Sequence, residues 1–398
     1  MVNTSTKIKP DSEEMVQKLL EDAKKIGQLA EKEAAEAEKN ASISANVAQA
    51  IKDSPISKMM LPKEYGGPQV GFRTFGEIVR TVAYYNVSAS WLTFLYPLHN
   101  TLPSYLEKSA RDEIVNQGGL ISDIFAAIGT AEKDGDGYRI SGKWNFASGV
   151  NYSDWIGVGV NMQLPGMDEP EVCLPILKTS DLQIVENWDT FGLRGTGSNQ
   201  IIADNVYVPK ERILPVSRME KVGRPPEDDY DKDYPFYHVP FFPAFYLGFP
   251  YMALGGTKRI IDEFRDATAK RRRLMDNGLL ESESPRSQRV LAEITTNYQA
   301  AEGLMDQYIT KLENARNGIE DTPAAEFFAL RTKVTKICSE IGLRVLLTLG
   351  GAALYKGGPI ELFFRDVLSV ATHKTSLYED SVQAYGLELF GFESGVRG

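Results

Sequence analysis

Two aromatic residues and one serine alternate along a short segment, Gly142–Gly149. Trp144, Phe146 and Ser148 are two residues apart, and side chains with this spacing in a strand point to the same face. An aromatic surface that ends in a small hydroxyl suits a planar ring with hydrogen-bonding edges, such as an isoalloxazine. The same spacing also fits an ordinary half-buried strand, so the segment alone leaves both interpretations open.

Histidine is the second residue type with chemical potential, since the chain contains only His99, His238 and His373. Imidazole changes its charge near neutral pH and therefore serves proton transfer and oxyanion stabilisation. His99 ends a predicted helix that also carries Trp91, and His373 lies in the last predicted helix. A single histidine is more often structural, and spacing does not separate the two roles.

A glycine-rich loop at residues 192–198 combines backbone N–H groups, an arginine and two hydroxyls. Arg194, Thr196 and Ser198 are the side chains suited to the polar edges of a ligand. The loop begins like a dinucleotide-binding fingerprint, but the last glycine is missing and a strand follows instead of a helix. Without a helix N-terminus, the loop lacks the dipole that binds pyrophosphate.

The periodicity of apolar residues changes twice along the chain and predicts an α+β fold that is mainly helical. Residues 1–120 are predicted to form an N-terminal helical domain, and residues 221–398 an aromatic connector with a C-terminal four-helix bundle. Between them, residues 121–220 contain short strand-like runs separated by turns. Their spacing, without intervening helices, predicts a small antiparallel barrel or sandwich and argues against a parallel dinucleotide-binding sheet.

The connector at residues 221–251 is dense in aromatic residues. Such density at a domain junction suits either a ligand cleft or the packing of two domains against each other. Four side chains are candidates for a substrate pocket: His238, Phe241, Phe242 and Tyr246. For His238, burial away from the pocket is the preferred alternative.

Charge and cysteine content exclude several classes of function. The 398-residue chain has a net charge of -10, which disfavours nucleic acid or an anionic membrane as partner. Cys173 and Cys338 are far apart and lack neighbouring metal ligands, so neither a disulfide framework nor a metal site is expected. A charged N-terminus without an apolar signal core, and the lack of a long apolar run, predict a cytoplasmic protein.

Several motifs resemble the acyl-CoA dehydrogenase superfold over nearly the whole chain. They are Pro62-x-Glu64-Tyr65-Gly66-Gly67, Gly142-Lys143-Trp144-x-Phe146-x-Ser148-Gly149, Trp188-Asp189-x-x-Gly192-Leu193-Arg194-Gly195-Thr196-Gly197-Ser198, Val206-Tyr207-Val208-Pro209, Leu349-Gly350-Gly351 and Arg365-Asp366. The dehydrogenases place a catalytic glutamate shortly after the Arg-Asp pair, where this chain has His373. Tyr378-Glu379-Asp380 resembles the glutamate motif but follows more than a helical turn later, and Leu347 replaces the glutamine expected before Gly350.

A second branch of the superfold, the reduced-flavin-dependent monooxygenases, is more similar. These are oxygenase components of two-component systems, such as the oxygenase component of p-hydroxyphenylacetate hydroxylase and dibenzothiophene monooxygenase. They carry a tryptophan and a histidine on one early helix, a Ser-Gly pair after the aromatic strand, and a histidine in the glutamate position. Trp91 with His99, Ser148 with Gly149, and His373 resemble all three features.

The resemblance implies hydroxylation of a small phenolic or indolic substrate by O2 and reduced FMN or FAD, through a flavin C4a-hydroperoxide. It implies a separate NAD(P)H-dependent flavin reductase, because no NAD(P)H-binding pattern is present, and a homotetramer. The implied catalytic residues are His99, Ser148 and His373, with Ser148 at flavin N5. The implied flavin contacts are Trp91, Trp144, Phe146, Ser148, Arg194, Thr196, Ser198, Gly350 and Gly351.

Oxygenation at sulfur or nitrogen and acyl-CoA dehydrogenation stay open as alternative reactions. The identity of the substrate also stays open, as does which histidine serves oxygen and which serves the substrate.

Overall fold

The structure, a computed structural model, describes residues 11–117, 119–220, 223–273 and 278–396. The first region is helical: α1 Glu13–Lys32, α2 Ala34–Asn40, α3 Ala45–Asp53, α4 Phe72–Tyr85, α5 Val87–His99 and α6 Lys108–Gln117. Asn86 separates α4 from α5 because its side-chain oxygen accepts a hydrogen bond from Ala89 N (2.8 Å) and so caps the second helix. His99 is thereby fixed as the last residue of α5.

The middle region forms a seven-stranded sheet with the order β5-β6-β2-β1-β3-β4-β7. The strands are β1 Ile121–Asp134, β2 Gly137–Ala147, β3 Trp155–Met162, β4 Glu171–Lys178, β5 Gln183–Val185, β6 Asn199–Pro209 and β7 Ile213–Pro215. The prediction of antiparallel pairing throughout is wrong in one place, because β1 and β3 run parallel. Strand β1 is long enough to change partner: its first half pairs with β3, and its second half forms a hairpin with β2 beyond an irregularity between Ile124 and Gly129.

The two halves of this sheet enclose one apolar core. Side chains from four strands meet there, among them Ile140, Val158, Cys173 and Ile201. Side chains on the inward face of each half alternate with outward-facing ones, which is the arrangement of a sandwich. The predicted sandwich is therefore present, with a mixed rather than an antiparallel sheet.

In its described residues the last region contains the predicted bundle of four long helices and two shorter helices, one before it and one after it. Short α7 (Phe241–Phe245) leads into α8 (Gly248–Lys270), α9 (Pro285–Arg316), α10 (Ala324–Leu349), α11 (Pro359–Ala371) and α12 (Tyr378–Leu389), with a small hairpin of β8 (Arg272–Arg273) and β9 (Leu279–Leu280) between α8 and α9. The last predicted helix does not reach His373. His373 has an extended backbone because its ring caps the next turn, accepting a hydrogen bond from Thr375 N (3.4 Å).

The three regions meet around α5, whose thirteen residues are all buried. A helix that is enclosed on every side belongs to the interior, and α5 packs against α4, α8 and β1. Asp366 of α11 ties the bundle to the loop at 192–198, because it accepts hydrogen bonds from Leu193 N (2.7 Å) and Ser88 Oγ (3.3 Å). Side chains from all three regions therefore converge at one junction.

Candidate active site

His373 lies beside two aromatic rings at this junction. Its imidazole stacks on Phe249 of α8, with 4.7 Å between centroids, and meets Trp91 of α5 edge to face at 5.6 Å. Nδ1 accepts from the backbone N–H of Thr375 and lies 2.9 Å from its Oγ1. Because an accepting nitrogen carries no proton, the neutral ring has its N–H on Nε2.

A buried arginine of α10, Arg331, holds the turn that contains His373. Its guanidinium donates to the Thr375 carbonyl and to Ser376 Oγ (3.3 Å) and packs on Phe328, 4.9 Å from the ring centroid. Burial, followed by the charge of Arg331, lowers the pKa of His373 to about 4. The His373 imidazole is therefore neutral at neutral pH.

His99 approaches the same site from the end of α5. Its ring is buried and stacks on Phe245 of α7, with 5.3 Å between centroids, and Nε2 lies 3.2 Å from Oδ2 of Asp123 in β1. Burial lowers the pKa of His99 to about 3, against a smaller opposite effect of a backbone hydrogen bond with Ile121. Burial also raises the pKa of Asp123 well above its usual value. Burial thus favours the neutral form of both groups.

A continuous row of rings connects the two histidines. Phe245 contacts Tyr246 (5.6 Å between centroids) and Tyr246 contacts Phe249 (6.0 Å); we call Phe245, Tyr246 and Phe249 the aromatic row. Phe242 stacks on Tyr246 (5.7 Å) and meets Phe125 of β1 (5.8 Å). The row provides a wall of planar, apolar surface with one neutral imidazole at each end.

Ser148 belongs to a chain of three hydroxyls. Its Oγ lies 2.7 Å from Ser198 Oγ, which lies 2.7 Å from Thr196 Oγ1. Thr196 donates its only hydroxyl hydrogen to the Leu193 carbonyl (2.8 Å). The donors therefore run from Ser148 to Ser198 to Thr196, and this order leaves Ser148 Oγ as an acceptor for a further N–H or O–H.

Gly149 fixes this serine against α5. Its φ of 73° is in the left-handed region, and a Cβ at this position would come within 2.6 Å of the Tyr96 hydroxyl. The Tyr96 hydroxyl donates instead to the Gly149 carbonyl (2.7 Å). Glycine is required at this position because it alone combines the backbone conformation with the close approach.

Trp144 and Phe146 do not share a face, although their spacing predicts it. Trp144 is fully buried in the β core, where its Nε1 donates to Gly159 O (3.0 Å), and its contact with a flavin stays a prediction. Phe146 is 69% exposed and has a φ of 69°, at an irregularity in the pairing of β2 with β6. Such an irregularity interrupts the alternation of faces along a strand. The Phe146 contact stays a prediction.

Arg194 is engaged within the protein. Its Nε donates to the Glu38 carbonyl (2.8 Å) and its Nη1 to the Thr190 carbonyl (3.1 Å) and to Asp189. These contacts pin the loop at 192–198 to α2. The arginine thus holds the loop in place, and a direct contact with a flavin stays a prediction.

Gly350 and Gly351 are remote from the histidines within one chain. They follow the end of α10, whereas Arg331 lies in its first third. A rise of 1.5 Å per residue separates Arg331 from Gly350 by roughly 28 Å. Within a single chain the two glycines and His373 therefore do not reach the same ring, and a role for these glycines requires a second copy.

Two of the predicted pocket residues lie outside the wall of the site. His238 bonds through Nε2 to the Lys232 carbonyl (2.6 Å) within the connector. Phe241 is fully buried and stacks on the far side of Phe245 at 4.9 Å. Phe242 and Tyr246, in contrast, line the site together with the aromatic row.

Sequence reasoning missed Asp123, Phe245, Phe249 and Arg331. The two phenylalanines recur with Phe241 at intervals of four residues, which marks one face of a helix. Asp123 has a weaker signal, a carboxylate inside the apolar run that begins β1. Arg331 has no signal in the sequence, because only its tertiary contact with the turn after α11 distinguishes it from the other arginines.

These residues fit a planar cofactor with polar edges, such as a flavin. The indole Nε1 of Trp91 is buried without a hydrogen-bond partner, and the Ser148 hydroxyl is left as an acceptor. Buried polar atoms normally have partners, so both positions suit the edges of a bound ring. Trp91, Ser148 and Ser198 would hold such a ring, and these contacts stay a prediction.

Residues 247–376 match the family model for the acyl-CoA dehydrogenase, C-terminal domain. This range runs from α8 through the turn that carries His373 and Ser376, and the helical and β regions lie around it as described above. The chain has the acyl-CoA dehydrogenase fold. Within this fold His373 and not a glutamate follows the Arg365-Asp366 pair, and Glu379 is exposed in the first turn of α12.

Comparison with individual proteins of this fold points to flavin-dependent oxygenases. The chain is 25% identical over 350 residues to the p-hydroxyphenylacetate 3-hydroxylase oxygenase component of Acinetobacter baumannii, covering 86% of this chain and 82% of the relative. XiaF from Streptomyces sp., in complex with FADH2 and glycerol, superposes with a TM-score of 0.86 at 22% identity, covering 96% and 97% of the two chains. The dibenzothiophene monooxygenase TdsC of Paenibacillus sp. A11-2, in complex with FMN and indole, gives a TM-score of 0.77 at 16% identity, with coverages of 95% and 99%. The predicted fold and the predicted similarity to oxygenase components are thus confirmed.

Proposed function

We propose that this protein is the oxygenase component of a two-component flavin-dependent monooxygenase that hydroxylates a small phenolic or indolic ring. The observation that carries the proposal is the position of His373. An imidazole stacked on Phe249 stands where a dehydrogenase of this fold needs a carboxylate base, and Glu379 is exposed. A neutral imidazole that carries its proton on Nε2 can donate a hydrogen bond from this nitrogen, which has no lone pair to take a proton from an acyl Cα–H.

The reduced flavin, when bound, supplies the two electrons that activate O2. The protein must then keep water from the reaction and control a few protons. The aromatic row and Trp91 exclude water because their rings are in contact and largely buried. Ser148 Oγ, an acceptor in its hydroxyl chain, binds a ring N–H, as a reduced flavin presents at N5. With the flavin bound, His373 Nε2 would supply a hydrogen-bond donor for oxygen, and His99 with Asp123 would lie on the side of the aromatic substrate.

The relatives of this chain support a separate reductase and a diffusible flavin as its partners. The relatives named as oxygenase components imply a separate NAD(P)H-dependent flavin reductase, which supplies reduced FMN or FAD by diffusion. Both flavins are bound by proteins of the same fold. Free, buried cysteines are typical of a reducing compartment, and we propose the cytoplasm as the location.

We also propose a homotetramer, supported by exposed apolar side chains on the bundle. Leu343 and Leu347 of α10 are 46% and 66% exposed, and Leu354 and Tyr355 beyond its end are 62% and 77% exposed. Residues 324–354 are long and apolar enough to cross a membrane, and only 33% of their most apolar window is buried. Because α10 packs against four helices of the bundle and carries the buried Arg331, its exposed face fits another copy better than lipid.

Rapid mixing tests the proposal directly. The protein is mixed anaerobically with reduced FMN or reduced FAD, then with O2, and the return of oxidised-flavin absorbance is followed with and without indole or phenol. We expect a delayed return compared with free flavin, and a hydroxylated product whose amount matches the O2 consumed. Immediate reoxidation together with tight binding of an acyl-CoA would instead identify a dehydrogenase. A product oxidised at sulfur or nitrogen only would identify the alternative oxygenation.

A further inference from the structure

A buried carboxyl of the bundle holds the loop at 192–198. Asp366 of α11 is 2% exposed, and each of its oxygens accepts one hydrogen bond from another part of the chain. Oδ1 accepts from Leu193 N in the loop (2.7 Å), and Oδ2 accepts from Ser88 Oγ in α5 (3.3 Å). Buried polar groups require such partners, so the bond to Oδ1 joins α11 firmly to the loop.

Leu193 has a backbone conformation that its surroundings must enforce. Its φ of 55° is in the left-handed region, which non-glycine residues occupy only at a cost in free energy. The loop also packs closely on α11, because a Cβ at Gly192 would overlap the Arg365 carbonyl. Two hydrogen bonds hold Leu193 itself: its N–H donates to Asp366, and its carbonyl accepts from Trp188 Nε1 (2.9 Å). Asp366 therefore helps to fix the direction of the Leu193 carbonyl.

The Leu193 carbonyl is the acceptor at the end of the chain of three hydroxyls. Thr196 Oγ1 donates to it (2.8 Å), and Ser198 and Ser148 follow at 2.7 Å each. All three hydroxyls are buried, and each has a single hydrogen to donate. The terminal acceptor thus sets the direction of every donor in the chain. Without it, Thr196 could donate to Ser198 instead, and the reversed chain would leave Ser148 as a donor.

We propose that Asp366 is a positioning residue that acts through Leu193 and the hydroxyl chain to fix Ser148 Oγ as an acceptor, and that the site thereby distinguishes reduced from oxidised flavin. The proposal rests on the flavin binding of the proposed function. A reduced flavin carries an N–H at N5, whereas an oxidised flavin has a lone pair there. An acceptor at Ser148 binds the N–H but stays unpaired against the lone pair, which is unfavourable in a buried site.

Hydrogen exchange tests the link from Asp366 to the loop in the protein without flavin. Deuterium uptake of the segment 192–198 is followed by mass spectrometry. Asp366→Leu removes the acceptor of Leu193 N, and exchange in the segment should become roughly tenfold faster or more. Asp366→Asn keeps a carbonyl oxygen for Leu193 N and should exchange like the wild type. Ser369→Ala is the matched control, since the Ser369 hydroxyl bonds to the Arg365 carbonyl (2.8 Å) within α11.

Flavin titration tests the consequence for Ser148. The dissociation constants of oxidised FMN and, under anaerobic conditions, of reduced FMN are measured for each variant. The wild type should bind reduced FMN more tightly, and Asp366→Leu should lower this preference roughly tenfold. Asp366→Asn and Ser369→Ala should keep it. A general loosening of the loop would weaken both flavins alike and leave the ratio of the two constants unchanged.

A double variant shows whether Asp366 acts through the serine. Asp366→Leu combined with Ser148→Ala should give the same ratio as Ser148→Ala alone, because the hydroxyl whose direction Asp366 fixes is then missing. A further fall of the ratio in the double variant would contradict action through the hydroxyl chain.

Three other results would overturn the proposal. The first is unchanged exchange at 192–198 in folded Asp366→Leu, and the second is an unchanged ratio of dissociation constants in this variant. The third is a wild type that binds oxidised FMN as tightly as reduced FMN, which decides the matter even when the leucine variant does not fold. Failure of the oxygenase function is a separate outcome, because it would appear as undelayed flavin reoxidation while exchange and binding ratios still report on Asp366.

Discussion

Oγ1 of Thr375 lies 2.9 Å from Nδ1 of His373, and this contact leaves Nε2 as the free donor of the ring. Thr375→Val keeps the shape of the side chain and removes the hydrogen bond, so the imidazole can rotate out of position. We expect the fraction of O2 that ends in hydroxylated product to fall roughly tenfold or more, because a small misplacement of a catalytic group strongly lowers the rate of the reaction that it assists. Hydrogen peroxide released per O2 consumed measures this.

Two further threonine variants serve as controls for this prediction. Thr375→Ser retains the hydroxyl and should retain the coupling. Thr372→Val removes an exposed hydroxyl that bonds to the Ser369 carbonyl (2.9 Å) and should behave like the wild type. Equal coupling in Thr375→Val and Thr372→Val would show that Thr375 does not orient the ring.

Ser148→Ala removes the end of the hydroxyl chain that is left to accept a hydrogen bond. We expect hydrogen peroxide release to increase while reduced flavin still binds, with the loss of one buried hydrogen bond weakening binding by about 1 kcal/mol. Ser153→Ala is the control. The Ser153 hydroxyl is also buried, but it bonds to the Val150 carbonyl (3.3 Å) and is not part of the chain of three hydroxyls. Unchanged coupling in Ser148→Ala would remove this residue from the site.

The buried state of His99 predicts a dependence of stability on pH. Its folded pKa of about 3 lies below the ordinary value of 6.5, so the unfolded state binds more protons between these two values. The stability that depends on the neutral His99 imidazole is fully present above pH 6.5 and is lost as the pH falls toward 3. Over this range the free energy of unfolding falls by at most about 1.4 kcal/mol per pH unit on account of His99. His373 acts in the same direction. Asp123 and Asp366 act in the opposite one, because burial raises their pKa values, that of Asp366 to about 7.

Urea denaturation between pH 4.5 and 8 measures this dependence. The protonation of His99 should make the free energy of unfolding rise with pH up to about 6.5, in addition to the slopes that the other buried groups contribute. His99→Gln should flatten that rise. Identical slopes in the wild type and His99→Gln would contradict a buried neutral imidazole at this position.

Arg331→Met removes a positive charge that lowers the pKa of His373. That pKa should therefore rise above about 4, while burial, the larger cause, keeps it below 6.5, as followed by NMR titration of the imidazole signals. The variant also leaves the Thr375 carbonyl without its donor, which should destabilise the protein by about 1–3 kcal/mol. Arg344→Met, which breaks an exposed pair with Glu293 (3.0 Å), is the control. A pKa that does not move would exclude Arg331 as a positioning residue for His373.

Leu347→Asp should weaken the proposed assembly, because it places a charge on the exposed apolar face of α10. Light scattering coupled to size-exclusion chromatography should then show a smaller species than the wild type at the same concentration. Ile128→Asp is the control, since Ile128 is equally exposed (61%) but lies on β1. A wild-type monomer, or an unchanged mass in Leu347→Asp, would contradict an interface at this face.

The periodicity of apolar residues predicted the order of helical, β and helical regions, because burial imposes a period of 3.6 on helices and of 2 on strands. Local pattern did not determine which strands pair. The parallel contact of β1 with β3 joins residues that are distant in the chain, such as Ile121 and Trp155, and no local pattern encodes it. For the same reason the end of α11 was misplaced, since His373 leaves the helix to cap the following turn.

The sequence by itself singled out His99, Ser148 and His373 through the resemblance of their motifs to a known family, because residue types alone left a structural role for each of them open. Only the tertiary structure decided that Trp144 belongs to the β core and that Asp123, Phe245, Phe249 and Arg331 surround the histidines. The physical reason is that burial and partners, which set the pKa of each imidazole, arise from contacts between residues that are distant in the chain.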